Sequence, residues 1–351
     1  MRRSIVILIL LFATAVLYVW VRYGRGSKDD TIVVKASTSL KLSLVEQRVD
    51  VRNWKEVRVD TIGIVGDKDD VVLYRPLVIE GYANDVYVID YGDMSVKKFD
   101  IDGKLVAKYG GKGEGPGEFI NPTDVAIGEN GLVWIADGGA RSLNWFERDG
   151  GFIRRLTFKE GILRVAPMED GWYYVMRISP FKPEIFYLYD SRDSLVVNFG
   201  NLIEDYETGA ISLDGNIITI DRNLIYIPMY YGFIVKYKEN GVPVFARKTL
   251  ESGEAPSIET RTIGGNKVQM ISGRKVLYVS PSYSNGKLYL YAGSRSKEMG
   301  VTIIDVYETD KGDYLYSIKL PGFSRSVSVA GNYVYALRDT TAVVYRMQDL
   351  N

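Results

Sequence analysis

Asn121-Pro122-Thr123-Asp124-Val125-Ala126-Ile127, followed by Asn130-Gly131-Leu132-Val133-Trp134-Ile135-Ala136-Asp137, repeats a pattern already present upstream. The earlier copy is Arg75-Pro76-Leu77-Val78-Ile79 with Asn84-Asp85-Val86-Tyr87-Val88-Ile89-Asp90. Further on, Lys98-Phe99-Asp100-Ile101-Asp102-Gly103-Lys104-Leu105 matches Trp145-Phe146-Glu147-Arg148-Asp149-Gly150-Gly151-Phe152, and both Asp90 to Asp137 and Gly103 to Gly150 span 47 residues. Each unit reads as a strand, a turn, a strand ending in Asp, a loop, a third strand, a D-x-G-type turn and a fourth strand. Four strands in 40 to 50 residues make a propeller blade.

Looser copies follow. Their second strands are Gly171–Val175, Asn223–Ile227, Gly286–Tyr291 and Gly331–Ala336, which brings the total to six blades. The chain ends soon after the third strand of the sixth, so the missing strand must come from elsewhere. Val57, Val59 and Thr61 alternate with Arg58 and Asp60 ahead of the first blade, and this segment is expected to close the ring and remove an open sheet edge. The fold class is all-β: a six-bladed propeller of four-stranded antiparallel blades, with an N-terminal transmembrane helix.

That helix is read from Ile5 to Val21, 17 residues without a charge, flanked by Arg2-Arg3 and by Arg22 and Arg25. At 1.5 Å per residue, residues 4–21 just cross about 30 Å of hydrocarbon. Ala13-Thr14-Ala15 offers the competing reading of a cleaved signal peptide. It lies inside the apolar run, however, and Tyr18, Trp20 and Tyr23 resemble an interfacial aromatic belt, which favours a retained anchor. The expected organisation is a cytoplasmic stub (1–3), the anchor (4–21), a stalk (22–51) and the propeller (52–351). The expected location is a single-pass protein of the bacterial inner membrane, with the propeller in the periplasm or outside the cell.

Composition narrows the function. Lys+Arg and Asp+Glu number 44 each, but beyond residue 30 the balance is 39 to 42, with no basic stripe to neutralise phosphates, so no nucleic-acid partner is expected. There is no Cys and no His. Disulfides, thiol nucleophiles and Cys-held zinc are excluded, as are imidazole bases and ligands. No catalytic residue, metal site or cofactor is therefore assigned.

Lys108-Tyr109-Gly110-Gly111-Lys112-Gly113-Glu114-Gly115-Pro116-Gly117-Glu118-Phe119, with Pro122, Asp124-Val125-Ala126 and Trp134-Ile135-Ala136-Asp137, resembles an NHL repeat. The likeness is near complete over residues 86 to 150 and holds only in outline elsewhere. It extends to the six-bladed envelope propellers of Bacteroidetes-type bacteria, which are usually lipoproteins; this chain has no Cys to carry a lipid. The resemblance also reaches enzymes. Amidating lyases, streptogramin lyases and paraoxonases rely on histidine, which is absent here. Gluconolactonase-like propellers hold a divalent metal through Glu, Asn and Asp, so a metal-dependent lactonase is the alternative function.

Several motifs have a structural reading beside the functional one. The loop Gly110 to Gly117 could cradle an anion, but a strand follows it rather than a helix, which favours a tight interblade crossing. Asp90 and Asp137 fit acceptors for nearby backbone N–H groups better than a catalytic pair. Trp134, Trp172 and Tyr289 are expected to face neighbouring blades, and the run Asp67–Asp70 to form a solvated turn. Blade topology puts the loops between second and third strands, and those joining successive blades, on one face. The candidate ligand-binding face is therefore Tyr91, Asp93, Lys112, Glu114, Glu118, Asn121, Arg141, Arg177, Phe181, Tyr230, Tyr231 and Arg338. The expected function is a non-catalytic binding or scaffolding module for a protein, peptide or glycan of the cell envelope.

Overall fold

The computed structural model describes residues 5–12, 15–22, 31–35, 40–65, 72–253, 255–263, 266–272 and 275–349. Six four-stranded antiparallel sheets form the blades. In the first, Pro76–Tyr82, Asp85–Asp90, Ser95–Asp100 and Leu105–Gly110 run from the inside outward. The other five begin at Pro122, Arg164, Gly215, Tyr278 and Ser326. All six second strands foreseen from the repeat occupy that place, and each is fully or almost fully buried because both its faces meet a neighbouring blade.

The ring closes as the alternation of Val57, Val59 and Thr61 predicts. Val57–Val65 pairs antiparallel with Thr341–Asp349 and becomes the outer strand of the sixth blade, with Val344 opposite Gly63 and Tyr345 opposite Thr61. The first and last strands of the propeller thus share one sheet, and separating them requires breaking a whole ladder.

Aromatic residues fill the gaps between blades. Trp134 stacks edge-on to Trp145 at 5.0 Å and meets Tyr173 of the next blade at 5.2 Å. Trp134 and Tyr289 are buried as expected, while Trp172 is partly exposed under the guanidinium of Arg222, 5.0 Å from its ring centre. The two Asp residues that end second strands hold their turns. Asp90 accepts the backbone N–H groups of Tyr74, Arg75 and Gly92 and the ammonium of Lys97 at 2.6 to 3.0 Å. Asp137 accepts those of Ile120, Asn121 and Ala140.

Residues 40–55 run along the outer edges of two blades. Val45 bridges Arg247 and Trp54 bridges Ser317, both in parallel, so the strap adds to the fourth strands of blades four and five before entering blade six. Gln47 pins it between them, donating to the carbonyls of Lys248 at 2.7 Å and Gly312 at 2.8 Å and accepting from Tyr314 N. Arg52 inserts its guanidinium against Asp305, at 2.9 and 2.8 Å, and Glu251, at 2.5 Å.

Upstream, the expected transmembrane helix is not what the structure shows. Ile5–Phe12 and Ala15–Arg22 are two antiparallel strands, Ile5 opposite Arg22 and Phe12 opposite Ala15. The local reason is composition: β-branched and aromatic residues dominate both halves and favour extended backbone. No helix among the described residues is long and apolar enough to cross a membrane. Thr31–Lys35 joins a hairpin, Ser257–Ile263 with Asn266–Ser272, inserted between blades four and five. Asp67–Asp70, the stub 1–3 and Tyr23 lie outside the described residues.

Candidate functional site

The innermost strand of every blade faces the axis of the ring, and these strands line a central channel. It holds two cavities, of about 470 and 170 Å³, which share Glu80, Ala126, Val165, Ile217, Ile218 and Pro281 as walls. The larger opens where first strands turn into second strands, past Glu129, Glu169, Asp170, Asp221 and Arg222. The narrower opens on the opposite face, past Arg164, Asn216 and Arg325.

Glu80 sits at the join, in the place that Ala126 takes in the second blade. Its Oε2 accepts from Ser328 Oγ at 3.4 Å, and Ser328 in turn accepts from Gly81 N at 2.9 Å and lies 3.3 Å from Ser282. Ser280 and Ser326 pair at 2.7 Å, so hydroxyls from blades five and six line one wall and lead to this carboxyl. Burial, then the charge of Asp124, pushes Glu80 up to about 8. Asp124 is raised to about 6 by burial, against the pull of Arg164 and a 2.9 Å bond from Val165 N.

The wall at Ser280 is also strained. The ladder slips between Val279 and Ser282, and Ser280 takes φ 52°, a left-handed conformation a serine rarely adopts. The bulge turns Pro281 and the hydroxyls of Ser280 and Ser282 toward the channel, where strain of this kind is often found.

At the wide mouth negative charge is in excess. Arg222 is the cation there, and it is already bound to Asp170 and Glu239. Glu129 and Glu169 come from adjacent blades, and burial, followed by the bond and repulsion between them, raises the pKa of Glu129. Among the described residues neither they nor Asp221 has a cationic partner. Among the described residues no group of three carboxylates there could hold a metal ion.

The twelve residues proposed from sequence lie on connections of blades one, two, three and four and, for Arg338, at a strand end of blade six, and none lines either cavity. Tyr91, Tyr230 and Tyr231 are buried, and Tyr231 bonds Ser212 at 2.7 Å. Burial raises the Tyr91 hydroxyl well above its usual range. Asp93 bonds Ser95 and pairs with Lys97 and Lys108; although burial acts upward, these bonds hold its carboxyl below the usual range. Arg177 is buried against Tyr187 and Phe158, with its guanidinium 4.4 and 4.5 Å from their ring centres. Asn121 is buried, with its side-chain NH2 unbonded. Arg141 has φ 54° and reaches the carbonyl of Lys159 at 3.4 Å. Arg338 bonds Tyr345 at 2.5 Å and the carbonyl of Pro321. Phe181 is exposed, at 58%.

Lys112, Glu114 and Glu118 are drawn together in the glycine-rich loop, where Lys112 bridges Phe119. Arg155 donates to the carbonyls of Glu114, Gly115 and Glu118 at 2.6 to 3.0 Å, and Glu118 caps Gly115 N at 2.8 Å. The loop therefore presents carbonyls to a cation of the fold itself, as an interblade crossing does. Gly110 has φ 69°, and a Cβ there would lie 2.2 Å from the ring of Phe119. Gly110→Ala is expected to destabilise the fold by about 2 kcal/mol, combining left-handed strain and overpacking. A denaturant titration checks it, and an unchanged midpoint would refute the crowding.

Sequence reasoning missed Glu80 and the mouth acids. The available signal was an acid in a first strand, Val78-Ile79-Glu80-Gly81, where the repeat has an alanine. Without the ring closed, nothing showed that such positions converge.

A protein described as exported from Bacteroides fragilis matches with a TM-score of 0.59 at 12% identity, over 87% of this chain and 99% of that one. A DUF4221-family protein from Bacteroides vulgatus matches with a TM-score of 0.58 at 11% identity, over 85% and 99%. Virginiamycin B lyase from Staphylococcus aureus matches with a TM-score of 0.52 at 10% identity, over 83% and 99%. Identities this low carry the fold alone. No curated protein matches the sequence. The pattern of the DUF5128 family, described as a 6-bladed beta-propeller, matches residues 66–331 of the 351. With six four-stranded blades and a family match over most of its length, the chain belongs to the DUF5128 family of six-bladed beta-propellers.

Proposed function

We propose that this chain is a membrane-anchored, extracytoplasmic binding module without catalytic chemistry, and that its ligand is a protein or peptide segment bearing a cationic side chain. The observation that carries the reading is the wide mouth of the channel: a cavity of about 470 Å³ whose carboxylates outnumber its cations. Unpaired negative charge in a concave, partly apolar site favours a positive group that brings the missing partner. The chain's own residues bind and orient, with Glu80 at the bottom, Glu129 and Glu169 at the rim, and the apolar wall of Ile217 and Ile220 packing the stem.

The anchor rests on residues 4–21. A two-stranded ribbon leaves both outer edges without backbone partners, which hydrocarbon does not tolerate; one helix leaves none. In a bilayer the helix is therefore the form expected of this run. Export fits the description of the Bacteroides fragilis protein with the same fold. The lactonase alternative required carboxylates converging on a metal; Glu129 and Glu169 do meet at the mouth, but among the described residues no third acid joins them to hold an ion.

The test is titration of the purified protein with a lysine- or arginine-containing peptide and with a glutamate-containing peptide of equal length, read by calorimetry. The basic peptide is expected to bind and the acidic one not, and Glu129→Gln with Glu169→Gln to weaken binding about fivefold. Equal heats from both peptides would overturn the reading.

A further inference from the structure

We infer that the three-stranded sheet of residues 31–35, 257–263 and 266–272 holds the propeller with its narrow, arginine-bearing mouth toward a phospholipid bilayer and its wide acidic mouth away from it. The inference rests on the anchor proposed above and adds the surface that meets the membrane.

The hairpin is inserted in the connection from Pro243–Lys248, the fourth strand of blade four, to Tyr278–Ser284, the first strand of blade five. First strands begin on the face where the narrow cavity opens, at Arg164 and Arg325, so the hairpin belongs to that face. Thr31–Lys35 runs antiparallel to it, Lys35 opposite Ser257 at its base and Thr31 opposite Arg261 near its tip. The chain therefore comes in at the tip, descends to the base and only then reaches Leu40, bridged to Ile203, and the strap.

Covalent reach does the rest. Nine residues, 22–30, separate the anchor from Thr31 and span at most about 32 Å when fully extended. A tether that short, attached at the tip of a sheet pinned by five backbone pairs, does not let the disc turn over. A flexible stalk would leave both faces equally free, whereas the pairing of residues 31–35 and the strap of residues 40–55 together remove that freedom. The loops that carry Tyr230, Arg338 and the glycine-rich segment then face the bilayer, and a soluble ligand meets the wide mouth first.

The cysteine-free sequence makes the test direct. Full-length protein carrying Arg261→Cys, at an exposed position of the hairpin, or Asn332→Cys, in the exposed turn between the first two strands of blade six, is labelled with a donor dye. Each is reconstituted into phosphatidylcholine–phosphatidylglycerol vesicles containing a headgroup-linked acceptor. Both proteins are expected to float with the vesicles, with energy transfer several-fold stronger from position 261 than from 332. Flotation with equal or reversed transfer overturns the orientation and leaves the anchor standing. Absence of flotation overturns the anchor and the orientation with it.

Discussion

Replacing Arg52 with alanine is expected to lower the stability of the propeller by about 3–5 kcal/mol and its melting temperature by about 10 °C. The guanidinium is 13% exposed and pairs with Asp305, which is fully buried, and with Glu251 at 9%. Burial disfavours the charged guanidinium, but the bonds to Asp305 and Glu251 outweigh it and raise the arginine's pKa. Asp305 also accepts from Tyr278 at 2.7 Å and Ser317 at 2.5 Å, so truncating Arg52 leaves a carboxylate that water cannot reach and two hydroxyls cannot neutralise. The loss exceeds a surface pair because desolvation is not refunded. Arg48 supplies the contrast within the same strap: it is 81% exposed, 3.8 Å from Asp313, and its alanine variant should change stability by less than about 0.5 kcal/mol. Equal effects at the two positions in thermal denaturation would show that the strap is held by its backbone bridges alone.

The second large effect is in pH dependence. Glu80 moves from an ordinary 4.5 up to about 8 and Asp124 up to about 6, so the folded chain keeps protons that the unfolded chain has released. The folded state then binds more protons, and stability must fall as pH rises from about 4.5 to about 8. For Glu80 alone the ceiling is about 5 kcal/mol, and access of water through the channel reduces the expected loss to about 2–3 kcal/mol. Glu80→Gln keeps the shape and hydrogen-bonding capacity of the side chain without the charge. It should remove most of that slope, unfolding at the wild-type midpoint at pH 5 and at a higher denaturant concentration than wild type at pH 8. A variant as pH-sensitive as the parent would show that the carboxyl is fully hydrated and ordinary.

The two effects locate where the fold is under strain. Arg52 compensates a charge that the fold buries, whereas Glu80 is a carboxyl that the fold holds protonated up to about pH 8. The second arrangement costs stability at neutral pH, which is the usual mark of a position kept for binding rather than for folding.

Much of the architecture was legible from Pro76 to Asp137, because a repeated strand-turn-strand unit cannot bury its faces alone and so must recur around a ring. The alternation at Val57, Val59 and Thr61 even named the closing strand, since an open blade leaves a ladder to be filled. The roles of Asp90 and Asp137 were also readable, as short acids at strand ends seek the N–H groups of the next turn. The inserted hairpin 257–272 was not legible: it pairs with residues 31–35, more than 220 positions away in sequence, and neither partner has a pattern that implies the other. The two strands of residues 5–22 show the limit from the other side, because an apolar run of β-branched residues suits a strand or a helix according to what surrounds it.

By itself the sequence determined the number of blades, their strand order, the closure of the ring, and the lack of thiol and imidazole chemistry. These follow from local periodicity and residue type, which need no knowledge of what lies across the molecule. Only the tertiary structure decided that Glu80, Asp124 and the hydroxyls of Ser280 and Ser326 share one channel, that its wider mouth is the acidic one, and that residues 40–55 brace the outside. Those are meetings between residues of different blades, and a meeting at the centre of a ring depends on the closure of all six.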